Sequence, residues 1–325
     1  MDERQAIERL RRIATHPAAL GLQDDAALID GLVVTHDSMA EGVHFFPFDP
    51  PASVGWKLVA VNLSDLAGKG AEPVAALLSL ALSGDDAWDA GIIDGVEAAC
   101  ESYGLPLVGG DTIAIPRGSA RVFGLTAIGR AGERTPLRSG GKAGDALWLV
   151  GTLGDAAAGL AMLQDDARAE GPLVDVFRRP VPLLRPGQVL ARHANAMMDV
   201  SDGLLLDALR MGRASKLKVT IDIDTLPLST AFVGERGQNR VAQLFAATGG
   251  DDYALLASLP PDVDPLGLSL PSGTTMTRIG SLTAKGPQLA LTSGGKPIEL
   301  PEHLGFEHFG QQRHRNPAPP MADRG

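Results

Sequence analysis

The amino-acid sequence predicts an α/β (α+β) protein of two domains, with mixed sheets covered by helices, and three observations carry that expectation. Short runs rich in Val, Leu and Ile alternate with stretches whose apolar residues recur at helical spacing, a pattern of layered strands and helices. The 325 residues exceed what one hydrophobic core usually serves. A Gly-rich polar stretch over 139–144 interrupts the alternation, which then restarts. The boundary is therefore expected there, giving a first domain over 1–138 and a second over 139–310. Residues 311–325 have no periodicity and carry three prolines, so they are expected to form a mobile tail.

The elements follow in order. Residues 28–35 read as a strand pair, or as a strand with a turn at Asp30-Gly31, followed by a polar loop ending in Phe45 and Phe46. After Pro50-Pro51, Ser53 is placed to cap a helix whose stripe runs Val54, Leu58, Val61, Asp65 and which ends near Gly68. A strand is expected over 74–82. The spacing of Trp88, Ile92, Val96, Ala99 and Tyr103 predicts a second helix, and strands follow from Leu105 and over 122–129. In the second half, strands are expected over 146–150, 196–200, 219–223 and 253–259. Helices are expected after Gly154 and over 204–214.

Composition narrows the function. The chain carries 29 Lys+Arg against 39 Asp+Glu, a net charge of −10, so a nucleic-acid or anionic-membrane partner is not expected. Cys100 is the single cysteine, which excludes an intrachain disulfide and suits a reducing compartment. The first twenty residues interleave charges unlike a signal peptide, and the apolar run over 74–82 is too short to span a bilayer. A cytoplasmic protein is expected.

The acids are biased, with 27 Asp to 12 Glu. Asp is a poor helix former but a good turn, cap and hard-cation residue. Neither a P-loop, nor G-x-G-x-x-G after a strand, nor H-E-x-x-H, nor an EF-hand loop is present. Instead, aspartates stand at strand ends and beside glycines: Asp24-Asp25, Asp37, Asp65, Gly109-Gly110-Asp111, Asp199-Val200-Ser201-Asp202-Gly203 and Gly249-Gly250-Asp251-Asp252. Asp65 falls on the apolar stripe of its helix, where a carboxylate is costly unless a cation or several donors meet it. Taken singly, each of these aspartates also fits a cap or a turn. Several carboxylates delivered from different elements form an all-oxygen site suited to Mg²⁺ and, through it, to phosphates.

The ordered series Asp24-Asp25-Ala26-Ala27, Asp37 with Glu41-Gly42-Val43-His44-Phe45, Val61-Asn62-Leu63-Ser64-Asp65, Gly109-Gly110-Asp111-Thr112, Leu137-Arg138-Ser139-Gly140, Asp199-Val200-Ser201-Asp202-Gly203-Leu204 and Gly249-Gly250-Asp251-Asp252-Tyr253 resembles thiamine-monophosphate kinase. That family belongs to the aminoimidazole-ribonucleotide synthetase-like superfamily of two-domain ATP-using enzymes. The resemblance implies direct transfer of the ATP γ-phosphoryl group to thiamine monophosphate, with no covalent enzyme intermediate. It also implies several Mg²⁺ ions, and a homodimer formed through an N-terminal ATP-binding domain. Carried over by position, Asp25, Asp37, Asp65, Asp111, Asp199 and Asp202 are implied Mg²⁺ ligands, with Thr35 assisting. Gly110, Asp111, Arg138, Ser201 and, more weakly, Tyr103 are implied ATP contacts. His44, Asp251 and Phe306 are implied substrate contacts, and Asp202 and Arg138 carry the catalytic roles. Gln23, His36, Lys69 and Asp251 stand where the family usually has Gly, Thr, Met and Glu. Two other readings are open: another ATP user of the superfamily, or a non-catalytic sensor of nucleotide or thiamine phosphate.

Overall fold

The computed structural model describes residues 3–307, so the expected tail over 311–325 lies outside the described residues. Helix α1 (Glu3–Leu10) precedes a hairpin of β1 (Ala27–Ile29) and β2 (Leu32–Ala40). Asp30 and Gly31 both take positive φ at its two-residue turn, the backbone that such a tight hairpin requires. Then come α2 (Pro51–Gly68), β3 (Glu72–Leu82), α3 (Asp86–Tyr103), β4 (Leu107–Ala114) and β5 (Val122–Arg130). These strands form one sheet in the order β1-β2-β5-β3-β4. It is antiparallel except for β3 and β4, which α3 joins as a parallel crossover.

The second half contains β6 (Ala146–Val150), α4 (Asp155–Asp165), α5 (Pro172–Arg178), α6 (Leu184–Ala191), β7 (Ala196–Val200) and α7 (Leu204–Ala214). It continues with β8 (Lys218–Asp222), α8 (Thr230–Arg236), α9 (Arg240–Thr248), β9 (Ala254–Leu259), β10 (Met276–Thr283), β11 (Leu289–Ser293) and β12 (Lys296–Ile298). Its seven-stranded sheet runs β12-β11-β8-β10-β6-β9-β7, again mixed, with β8 and β11 parallel. The helices α5, α6, α8 and α9 and the strands β10 to β12 were not among the sequence expectations. Most are eight residues or fewer, too short for a clear period.

One core lies beneath the first sheet, where Leu58 and Leu66 of α2 meet Ile92 of α3 and Phe123 and Leu125 of β5. A second joins Leu147, Leu149, Leu205, Ile221 and Ile279 under the larger sheet. Truncating any of these buried side chains to Ala costs about 2–5 kcal/mol.

Helix α2 departs from its expected form in two ways. Ser53 does not cap it; Pro50 holds the cap position without a side-chain bond, and Pro51 begins the helix, where its missing N–H costs nothing. Nor is the helix striped, because every residue from Lys57 to Gly68 is buried. Gly55 and Gly95 let α2 and α3 cross in backbone contact: a Cβ on either would lie about 2 Å from a carbonyl oxygen of the other helix. On its remaining side the C-terminal end of α2 packs on β7 and α6, where Ala67 joins Met197, Leu190 and Ala191. A helix enclosed by both halves places its polar residues, Lys57, Asn62, Ser64 and Asp65, inside the molecule.

Candidate active site

The buried polar residues of α2 are the spine on which the site is assembled. Ser64 donates from Oγ to Asp199 Oδ2 at 2.6 Å, tying α2 to the end of β7. Asn62 accepts the Asp37 backbone N–H on Oδ1 at 2.9 Å, tying it to β2. Asp65 accepts the Thr35 hydroxyl, and Thr35 also lies 3.3 Å from the Asp25 carbonyl oxygen. Asp25, Asp65 and Asp199 thereby each bring a carboxylate oxygen within 4.8 Å of the others. Asp37 joins them electrostatically, since its charge acts on both Asp65 and Asp199.

These carboxylates differ in what balances them. Burial pushes Asp65 well above the ordinary carboxylate range, and its neighbours Asp37, Asp199 and Asp25 push it further. Burial followed by Asp25 raises Asp199 to about 8, and burial followed by Asp25 and Asp202 raises Asp37 to about 6. Burial acts the same way on Asp25, but Arg138 and Lys69 outweigh it and hold this carboxyl below the ordinary range. Arg138 pairs with Asp25 Oδ1, and its backbone N–H donates to Asp24 Oδ2 at 2.9 Å. Asp202, only partly buried, pairs with Arg210 of α7. Arg210 also reaches Asp207 Oδ1 at 2.8 Å, and Asp207 Oδ2 accepts the backbone N–H groups of Ser201 and Asp202.

Beside this cluster opens a cavity of about 310 Å³. Asp37, Ser201 and Asp202 line it on the cluster side, and His44, Asp251 and Phe306 line it as well. The three expected substrate contacts, drawn from sequence positions 44, 251 and 306, therefore line the same cavity as three expected nucleotide or metal residues. His44 accepts the Ala40 N–H on Nδ1 at 3.0 Å, which leaves the proton of the neutral ring on Nε2. Asp251 sits at φ 66°, and both its oxygens are held: Tyr253 donates to Oδ1 and Lys57 to Oδ2, each at 2.8 Å. Aspartate tolerates this left-handed φ better than most side chains, so the turn and the two side-chain bonds together fix where the carboxylate points. The Phe306 N–H donates to the Asp202 carbonyl at 2.8 Å, which seats the segment after β12 on the loop before α7.

Three expected site residues are not brought here. Gly110 and Asp111 lie on β4, a wholly exposed strand of the first sheet. Gly110 has a local explanation, since a Cβ there would lie 1.9 Å from the Leu78 carbonyl oxygen, so only glycine lets β4 approach β3. Asp111 pairs in register with Ser79 and stands apart from the carboxylate cluster because its strand is on the far edge of the sheet. Tyr103 stacks edge-on against Trp56, with ring centroids 5.6 Å apart, and does not line the cavity. His36 points to the other face of β2 from Thr35 and Asp37, where it meets Thr126 and Ser38.

Four charged residues of the site are not among the expected site residues; of these only Lys69 stands out in the sequence, as a departure from the family pattern. Lys57 lines the cavity and Lys69 pairs with Asp24 and Asp25, while Asp207 and Arg210 frame Asp202. Two signals were available: Lys57, Val61 and Asp65 share a helical face at four-residue spacing, and Asp207 and Arg210 stand at i,i+3.

Comparison with known proteins agrees with this geometry. The family of AIR synthase related proteins matches through its N-terminal domain over residues 23–131 and its C-terminal domain over 142–287. Thiamine-monophosphate kinase of Escherichia coli (strain K12) is 36% identical over 304 residues, covering 89% of this chain and 92% of its own. The chain belongs to the thiamine-monophosphate kinase family. The Caulobacter vibrioides member is 36% identical over 270 residues, covering 79% of this chain and 76% of its own. A solved structure, "AaThiL complexed with AMPPCP and TMP", superposes with a TM-score of 0.81 at 31% identity, over 95% of this chain and 97% of that one. The Stenotrophomonas maltophilia K279a thiamine-monophosphate kinase superposes at 0.70 with 33% identity, over 90% and 96%. The hydrogenase maturation protein HypE in complex with ATP, at 20% identity and a TM-score of 0.66, shares the fold.

Proposed function

We propose that this chain transfers the γ-phosphoryl group of ATP to the phosphate of thiamine monophosphate, giving thiamine diphosphate. The observation that carries the reading is the one cavity that His44, Asp251 and Phe306 line together with Asp37, Ser201 and Asp202, beside the buried carboxylates. Support comes also from the family and from a relative solved with an ATP analogue and TMP.

The residues fit divalent cations. Asp65 and Asp199 are buried acids pushed toward protonation within 4.8 Å of each other and of an Asp25 oxygen, a set of hard oxygen donors short of positive charge at the Asp65 and Asp199 side. Asp25, Asp37, Asp65, Asp199 and Asp202, with Thr35 assisting through Asp65, would hold Mg²⁺. Bound there, Mg²⁺ supplies charge neutralisation to the polyphosphate. Arg138 and Ser201 face the nucleotide, and His44 offers Nε2–H to the acceptor phosphate. Asp251, fixed by Lys57 and Tyr253, presents its carboxylate to the cationic thiamine portion, which Phe306 flanks. The acceptor oxygen is already ionised, so the in-line step needs positioning and charge screening rather than a strong base. No protein nucleophile is required.

The division at 138/139 then separates a nucleotide-binding, dimerising domain from one that completes the pocket, and the ATP requirement places the enzyme in the cytoplasm. The assembly is a homodimer. Strand β4 leaves Leu107, Val108 and Ile113 exposed on an unpaired edge, with Leu77 of β3 beside them. A second copy covers that edge through the same patch on both chains. Among the described residues no helix is long and apolar enough to cross a membrane.

The test is incubation of the purified chain with Mg-ATP and thiamine monophosphate, with products resolved by chromatography. Equal amounts of ADP and thiamine diphosphate are expected. Bound ATP with no thiamine diphosphate would overturn the reading in favour of a sensor.

A further inference from the structure

The bulkiest fully buried side chain among the described residues is not apolar; it is Lys69, the residue just after α2. Lysine is almost never fully buried unless paired, and isolating its ammonium from water costs far more than its alkyl stem returns. Three oxygens surround Nζ: it pairs with Asp24 Oδ1, lies 2.9 Å from Asp25 Oδ2 and donates to the Met197 carbonyl at 3.2 Å. Two carboxylates and a backbone carbonyl converging on one point are also the donor set of a hard divalent cation. At 2.9 Å the Asp25 Oδ2 contact has the length of a charge-assisted bond, and it helps hold this carboxyl below the ordinary range. That same carboxylate belongs to the cluster with Asp65 and Asp199.

We infer that the Lys69 ammonium is a resident cation that occupies the position of one divalent ion at the Asp24–Asp25 end of the site. The inference rests on the metal-dependent reading above. Seven carboxylates meet in this region, Asp24, Asp25, Asp37, Asp65, Asp199, Asp202 and Asp207, and the fixed cations Lys69, Arg138 and Arg210 leave four negative charges for added ions. Without Lys69 a fifth would remain, on two adjacent buried aspartates. An ammonium on the chain cannot leave with the product. It keeps Asp24 and Asp25 in place in every state of the cycle, which makes Lys69 a positioning residue rather than a catalytic one.

The experiment counts Mn²⁺ by electron paramagnetic resonance in the presence of excess AMPPCP, for wild type, Lys69→Met and Lys69→Gln. Each variant is expected to bind one more Mn²⁺ per chain than wild type, and to gain more in melting temperature from Mn²⁺. Equal counts with equal Mn²⁺ affinity would overturn the inference. If neither variant folds in EDTA, refolding is repeated with Mn²⁺: recovery supports an exchangeable cation position. Failure at every Mn²⁺ concentration overturns it, because Lys69 is then a packing strut. Wild-type thiamine diphosphate formation, assayed separately, tells failure of this inference from failure of the kinase reading.

Discussion

Two ends of one acidic site solve the same electrostatic problem differently. At Asp24 and Asp25, the chain brings its own cations, Lys69 and Arg138, and the Asp25 carboxyl is held below its ordinary range. At Asp65 and Asp199, a few ångströms away, the groups that meet the carboxylates are only the hydroxyls of Thr35 and Ser64, while Asp37 is tied to α2 through its backbone N–H, which Asn62 accepts, and all three carboxyls are pushed upward. Hydrogen bonds from neutral donors ease a buried carboxylate but do not cancel its charge. The difference marks where an external cation is most needed: the first end carries cations of its own, the second depends on metal, and Asp25 stands between them as a member of both.

The sharpest way to break that contrast is to neutralise one member of each end. Asp65→Asn or Asp199→Asn removes a ligand from the second end, so turnover should fall by at least about 100-fold. The metal-free variant should nevertheless melt no lower than wild type, since a buried charge without a cation has been removed. Asp25→Asn strikes the first end and leaves Lys69 and Arg138 short of their shared partner. It should lose about 3–5 kcal/mol of stability in denaturant titration, with or without Mg²⁺. Equal stability changes at the two ends would erase the distinction.

A smaller effect separates the ends by pH. Asp37, at about 6, and Asp199, at about 8, both have folded values above the ordinary 3.8. The folded state therefore binds more protons than the unfolded one across that interval, and stability falls as pH rises. The metal-free chain should lose melting temperature steadily from about pH 4 through pH 8. Saturating Mg²⁺ should flatten the curve by holding the same carboxylates ionised in the folded state. A metal-free curve that rises over this interval would contradict the assignment.

Smaller still is the expected effect at Asp251. Lys57→Met frees Asp251 Oδ2 without touching the cluster, so KM for thiamine monophosphate should rise about tenfold, worth about 1.4 kcal/mol, while the affinity for Mg-ATP stays within about twofold. Loss of nucleotide affinity instead would place Lys57 on the phosphate side.

The legibility of this chain in its sequence follows the same physical lines. Strands over 146–150 and 196–200 and the helix over 204–214 match the structure residue for residue, because each is dominated by apolar residues at the spacing of its element and is bounded by polar residues or glycine. Helix α2 was located but misread. Its cap follows proline geometry rather than a serine hydroxyl, and its stripe dissolves because tertiary burial on all sides overrides amphipathic patterning. The short helices α5, α6, α8 and α9 carry too few turns to show a period. At the site, the aspartates were visible as residues beside glycines and at strand ends, and five of the six expected Mg²⁺ carboxylates meet here. Asp111 does not, since motif order says nothing of which edge of a sheet a strand occupies. Lys57 and Arg210 were invisible for a different reason: a lysine or arginine on a helix is ordinarily a solvated surface residue, and only the three-dimensional enclosure of α2 and the approach of α7 to Asp202 give these a partner. Lys69, just after α2, stood out as a departure from the family's Met, but nothing in the sequence pairs it with Asp24 and Asp25.

The central claim is that the carboxylate end at Asp65 and Asp199 needs a divalent cation to drive phosphoryl transfer from ATP to thiamine monophosphate. It is tested most directly by following thiamine diphosphate formation by phosphorus NMR during Mg²⁺ titration of wild type and Asp65→Asn. The account predicts saturable, Mg²⁺-dependent conversion by wild type, and at least about a hundredfold less by the variant at every Mg²⁺ concentration. Conversion by wild type in EDTA, or equal rates for the two proteins, would contradict it.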